Sequence, residues 1–202
     1  MSVFVSAAEL NERIQTGQKQ TIIAALWEPK DGKAWSKFQS EHIPTALYCD
    51  PSVQLAGLPG RAVGRNPLPS IDVVRKAAAG WGIEDGRPVY IYDGGNGLFA
   101  ARAWWILRWA GVRDVHILDG GFATWDGEGF PTVAGPGGIV VPRDVELTEG
   151  SLPSATMEDV RAFEGLLIDA RGARRFQGLR EILDLRAGHI PGARNLPVND
   201  LF

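Results

Sequence analysis

Residues 89–125, VYIYDGGNGLFAARAWWILRWAGVRDVHILDGGFATW, leave this chain few folds to choose from. Val89-Tyr90-Ile91-Tyr92 is short, β-branched and aromatic, the signature of a strand covered on both faces. Asp93-Gly94-Gly95-Asn96-Gly97 then breaks the chain. Leu98 to Ala110 contains neither glycine nor proline and stops at Gly111, a suitable residue to follow a helix C-terminus. Val115-His116-Ile117-Leu118 is a second apolar strand, closed by Asp119-Gly120-Gly121. A strand, loop, helix and strand of this length form a βαβ unit, whose strands are parallel neighbours joined by a right-handed crossover. The glycine-rich loop therefore falls at the C-terminal end of a parallel strand and at a helix N-terminus. Open α/β sheets bind ligands, anions especially, at such places.

The flanking sequence extends the same architecture. Ser6-Ala7-Ala8-Glu9 has capping-box spacing and predicts a helix to about Gln15. Thr21 to Trp27 (TIIAALW) and Leu47-Tyr48-Cys49 read as further strands, and Ser70 caps a helix through Ala79. Glu28 to Glu41 reads as polar and irregular, and Pro51 to Pro69 as a long surface excursion. Strands alternating with helices indicate α/β architecture around a largely parallel sheet. Residues 127–153 are rich in glycine and proline and read as an interdomain linker, with an extended piece at Ile139-Val140-Val141.

Beyond the linker the chain repeats itself. Thr156-Met157-Glu158-Asp159 imitates the first helix start, and Gly165-Leu166-Leu167-Ile168-Asp169 the first strand. His189-Ile190-Pro191-Gly192-Ala193 matches His42-Ile43-Pro44-Thr45-Ala46 at an offset of 147 residues. This is a tandem duplication. Residues 1–126 are the first copy and 154–202 the beginning of a second, which contains no counterpart of Val89–Trp125. The reading is a second domain that is incomplete within this chain, and a segment unable to fold alone, because its apolar faces and strand edges lack partners.

Charge and cysteine content narrow the function classes. A net charge of −3 argues against nucleic acid or an anionic membrane as principal partner. One cysteine excludes an internal disulfide framework and suggests a reducing, cytoplasmic setting. The N-terminus lacks a signal-peptide pattern, and Arg102 and Arg108 interrupt the most apolar helix. Three histidines, widely spaced and without acidic or thiol companions, do not make a metal site. His42 and His189 recur at one repeat position and are read as loop-fixing, while His116 sits in a strand and is read as packed.

YDGGNGLFAARAWW, LDGGFATW, RAGHIPGARNLP and their tandem order resemble the two-domain sulfurtransferases, the family of thiosulfate sulfurtransferase (rhodanese) and 3-mercaptopyruvate sulfurtransferase. The resemblance implies a rhodanese-like five-stranded parallel sheet with helices on both faces, present twice. It implies transfer of sulfane sulfur from thiosulfate or 3-mercaptopyruvate, through a cysteine persulfide on the second domain, to cyanide, a thiol or a thioredoxin-like acceptor. No cofactor is implied. Backbone N–H groups at a helix N-terminus suit this chemistry, because they stabilise a thiolate and the persulfide that follows. The loop position that holds the cysteine in such proteins is Asp93 in the first copy, so this domain reads as catalytically silent. The corresponding position of the second copy would fall at about residue 240, outside the chain. The chain as given is expected to be inactive.

The resemblance also assigns Arg175, in DARGARRF, to the anionic group of the substrate, a role suited to a bidentate guanidinium. Arg186 is the second expected substrate arginine, although the LREILDL stretch before it departs from the acidic, proline-containing family pattern. A solvated cationic patch is the plain alternative for Arg175. Cys49, whose repeat partner is Leu196, reads as a core residue. Two other functions are open to the sequence. One is a non-catalytic rhodanese-like binding or regulatory module. The other is a dinucleotide-binding domain, since Gly95 to Ala100 fits G-x-G-x-x-A after a strand, with Asp119 beyond. Against the latter, strands precede the fingerprint, and no helix and third strand are expected after Asp119.

Overall fold

The computed structural model describes residues 2–184 and 186–201. The chain divides into two units, Met1–Pro153 and Ser154–Phe202. In the first unit the apolar runs become strands of one sheet: β1 (Phe4–Val5), β2 (Thr21–Ala25), β3 (Leu47–Cys49), β4 (Val89–Tyr92) and β5 (Val115–Leu118). Their order is β1-β5-β4-β2-β3 and every pairing is parallel. All four residues of β4, the central strand, are buried, which explains why its sequence does not alternate with polar residues.

The first unit also contains α1 (Ala7–Gln15), α2 (Lys33–Ser40), α3 (Pro51–Gln54), α4 (Ile71–Gly80), α5 (Leu98–Trp109) and α6 (Gly121–Gly127). They cover both faces of the sheet. Ile23 and Ile91 point into a core with Val74, Ala77, Ala103 and Leu107 of α4 and α5. Their neighbours Ile22, Tyr90 and Tyr92 point the other way, against Leu10, Phe38 and Trp125 of α1, α2 and α6. Each large apolar side chain so buried contributes about 1.5–3 kcal/mol. The caps follow the sequence: Ser6 Oγ accepts from Glu9 N–H at 3.2 Å and Ser70 Oγ from Val73 N–H at 3.4 Å.

Several elements differ from the sequence expectation. Residues 33–40 are helical rather than irregular, because Ala34 and Phe38, one turn apart, are both buried. Inside the 51–69 excursion, Asp50 caps the single-turn helix α3 by accepting from Ser52 N–H at 2.9 Å. Residues after Asp119 form α6 rather than passing straight into a loop. Residues 139–141 form no strand. The stretch expected to link two domains packs along the first unit instead. Leu147 is buried, and Val140, Val145 and Leu152 rest on the same core. Gly138 lies so close to the Thr45 carbonyl that a Cβ would come within 2.5 Å of it.

The second unit has α7 (Met157–Ala162), β6 (Ile168–Asp169), α8 (Ala173–Phe176), β7 (Arg194–Asn195) and a 3-10 turn at Val198–Asp200. β6 and β7 pair in parallel, as β2 and β3 do. Thr156 and Asp159 form a full capping box. The repeated histidine keeps one role in both copies. His42 Nδ1 lies 2.7 Å from the Phe38 carbonyl with the two rings stacked, and His189 Nδ1 lies 2.7 Å from the Phe176 carbonyl with the same stacking. No described residue of this unit is buried, and Leu166, Leu179, Ile182 and Leu201 are all at least 60% exposed.

Candidate functional site

The loop after β4 is built around one carboxylate. Asp93 is 1% exposed. Its Oδ1 accepts from Gly95 N–H at 2.8 Å and Gly97 N–H at 3.1 Å, and its Oδ2 from Phe99 N–H at 3.1 Å and Ala100 N–H at 3.2 Å. These donors belong to the turn and to the first residues of α5, whose N-terminal end favours negative charge. The loop is thus an anion cradle whose anion is part of the chain. A pyrophosphate would need the same N–H groups, so the fingerprint Gly95–Ala100 is not available to a dinucleotide.

The second glycine motif supports the first. Gly121 has φ +59°, and a Cβ there would stand 2.7 Å from the Asp93 carbonyl and 2.9 Å from Gly95 N. Phe122 N–H donates to the Asp93 carbonyl at 2.8 Å. Glycine at 121 therefore allows α6 to close against the loop, a role the sequence reading did not give it. Tyr92 fixes the opposite side, its hydroxyl accepting from Ile43 N–H at 3.3 Å. Above the loop, at the C-terminal ends of β2 and β4, lies a cleft of about 560 Å³ walled by Trp27, Tyr92, Phe99 and Phe122. Lys37 and Glu28 form an ion pair at this cleft, and the ammonium holds the Glu28 carboxyl below its usual range.

Cys49, on β3, is fully buried in the core. Burial, with Asp50 nearby, pushes its thiol well above the ordinary range, so it is neither exposed nor ionised. His116 bonds through Nε2 to Asp114 at 2.8 Å and through Nδ1 to the Ser2 carbonyl at 2.8 Å, a brace for the sheet edge. Trp104 Nε1–H donates to the Val115 carbonyl at 2.9 Å, and Trp105 stacks with Trp109, so these rings serve packing.

In the second unit, Arg175 lies in α8 with its guanidinium engaged. Nε donates to Glu181 Oε2 at 3.1 Å, and Nη2 donates to Glu181 Oε1 at 3.1 Å and to Asp184 Oδ2 at 2.6 Å. Arg171 forks onto Asp169 at 2.6–3.1 Å and also reaches the Gly188 carbonyl, so it is an internal pair. Arg186 is exposed. Glu181 and Asp184 had no sequence signal: they stand six and nine residues beyond Arg175, outside its four-residue helix.

Among the described residues, no group of three or more His, Cys, Asp or Glu is placed to hold a metal ion. No described helix is long and apolar enough to cross a membrane.

Comparison with known proteins accounts for this combination of sheet and loop. The rhodanese-like domain model matches residues 6–128. A putative thiosulfate sulfurtransferase of Mycobacterium tuberculosis is 34% identical over 200 residues, covering 96% of this chain and 70% of its own length. A probable 3-mercaptopyruvate sulfurtransferase of Pseudomonas aeruginosa is 39% identical over 178 residues, of which this chain spans 61% of the length. The crystal structure of a 3-mercaptopyruvate sulfurtransferase from Escherichia coli matches 98% of this chain and 75% of its own, at 31% identity and a TM-score of 0.82. The two relatives and the crystal structure so matched are sulfurtransferases by name. With the family model matching more than half of its residues and a five-stranded parallel sheet of the same kind, this chain belongs to the rhodanese family.

Proposed function

We propose that the protein is a sulfurtransferase that moves sulfane sulfur from thiosulfate or 3-mercaptopyruvate to a thiol, cyanide or thioredoxin-like acceptor. In this reading the first unit is a silent domain, and the persulfide forms on a cysteine outside residues 1–202. Asp93 is the observation that carries it. Its carboxylate uses four backbone N–H groups of a loop suited to a sulfur anion, and a carboxylate cannot accept sulfane sulfur. Cys49 does not substitute, being buried and held as the thiol. Arg175 binds the anionic end of the donor, since a guanidinium fork matches a carboxylate or thiosulfonate. The single, buried thiol suits a cytoplasmic protein.

The test is made on the natural product and on the 202-residue chain side by side. The natural product is captured with antibodies to the first unit, weighed intact and assayed for thiosulfate:cyanide and mercaptopyruvate turnover. Expected is a heavier product whose turnover is abolished by iodoacetate, and no turnover above background from the 202-residue chain. Turnover by the short chain that survives Cys49→Ser would refute the assignment of Asp93. A natural product of 21.9 kDa without turnover would favour the second reading, a non-catalytic binding module, to which the internally filled loop also lends itself.

A further inference from the structure

Arg175 is surrounded as though it already held a ligand. The Glu181 carboxylate accepts from Nε and Nη2 of the guanidinium, and its Oε1 also accepts from Leu183 N–H at 2.8 Å and Asp184 N–H at 3.0 Å. A carboxylate held by an arginine fork and two backbone N–H groups is the arrangement expected of a bound carboxylate ligand. Here the carboxylate belongs to the chain, and its side chain is 5% exposed. Asp184 adds a second carboxylate at 2.6 Å. Counting Arg171 and Asp169, two guanidiniums face three carboxylates in this cluster. An incoming anion meets a site that is filled and already over-neutralised.

We propose that Glu181, assisted by Asp184, is a built-in competitor for Arg175, so that an anionic sulfur donor binds only when the 181–184 turn gives up the guanidinium. This rests on the reading that Arg175 takes the donor's anionic group. Two further observations agree with it. The two backbone N–H groups and Arg175 pull the Glu181 carboxyl down to about 2, so it stays ionised and remains a strong competitor. The turn itself is lightly anchored: Ile182 is 74% and Leu183 52% exposed, so its displacement uncovers little additional apolar surface. The device sets a threshold for donor binding. A donor whose charge is spread over several oxygens must outcompete a carboxylate tethered to the same chain, whose effective concentration is high.

The test uses the 202-residue chain labelled with 15N-arginine. The Arg175 Nε–H resonance, assigned by its loss in Arg175→Lys, is followed on titration with sodium sulfate, thiosulfate and pyruvate at fixed ionic strength. Glu181→Gln suits the purpose because the amide oxygen still accepts from Leu183 and Asp184 N–H, while the negative charge facing the Arg175 guanidinium is lost. Sulfate is expected to bind this variant about tenfold more tightly than the parent chain, a change of ~1.4 kcal/mol. Asp184→Asn, which leaves the Glu181 turn untouched, gives a smaller gain. Sulfate binding to Glu181→Gln that is no tighter than to the parent overturns the proposal, and would make Glu181 a positioning residue instead. The ring-current shift from Phe176 on His189 reports folding of this unit. If Glu181→Gln loses that shift, Asp184→Asn decides: a gain supports the competition and no gain refutes it. A gain for sulfate without preference for thiosulfate or pyruvate upholds the competition and removes the donor reading of Arg175.

Discussion

Replacing Asp93 with asparagine tests whether the loop after β4 is held by an internal anion. The side chain keeps its shape, but one oxygen becomes an NH2 group facing backbone donors. Whichever way the amide turns, two of the four N–H groups at 95, 97, 99 and 100 lose their acceptor in a site that is 1% exposed. An orphaned buried N–H costs about 1–3 kcal/mol, and the negative charge at the start of α5 contributes up to ~1 kcal/mol more. A loss of about 4 kcal/mol follows, against a total stability of roughly 5–15 kcal/mol. At ~2–4 °C per kcal/mol for a chain of this size, the melting temperature should fall by about 8–16 °C. All seven tryptophans lie between residues 27 and 125, so urea unfolding followed by tryptophan fluorescence reports the first unit. A midpoint shift corresponding to less than ~1 kcal/mol would mean that water or main-chain rearrangement replaces the carboxylate, and the reasoning would fail.

Three further outcomes are expected. Cys49 should resist thiol reagents in the native chain and react at once when it unfolds, because the thiol is buried and kept un-ionised; stoichiometric native labelling at neutral pH would contradict this. Glu181 is held at about 2 in the folded chain against 4.5 free, so its contribution is complete above pH ~4.5 and is lost as pH falls through about 2. The Leu183 and Asp184 amide resonances should therefore move near pH 2, and movement centred on 4.5 would show the turn to be open. Residues 154–202, expressed without the first unit, should show no cooperative unfolding transition, since none of their described residues is buried; a sharp thermal or urea transition would show otherwise.

The sequence by itself determined the parts whose stability is local or whose burial is complete. β4 could be read to the residue because all four of its residues are buried, and β5 because three of its four are, with only the half-buried His116 polar. The helix starts at Ser6, Ser70 and Thr156 could be read because a cap is a contact over three residues. The repeat was visible because the HIPTA and HIPGA loops keep one histidine contact, stacked on a phenylalanine whose carbonyl it meets. Asp93 was legible as the carboxylate that opens the glycine-rich loop after β4, although not the number of donors it satisfies.

Only the tertiary structure decided the rest. Helix α2 has a weak local signal, with glycine as its N-cap and no side-chain cap bond, and forms where Ala34 and Phe38 meet the sheet. β1 is two residues long and exists only because β5 offers it an edge. Residues 127–153 have the composition of a free linker, yet Leu147 and the close approach of Gly138 to Thr45 bind them to the first unit. The surroundings of Arg175 were also decided there. A motif can mark an arginine as a substrate ligand, but whether its charge is free depends on groups six and nine residues away. Those groups meet it through a turn rather than a periodic element, and electrostatics acts through space rather than along the chain.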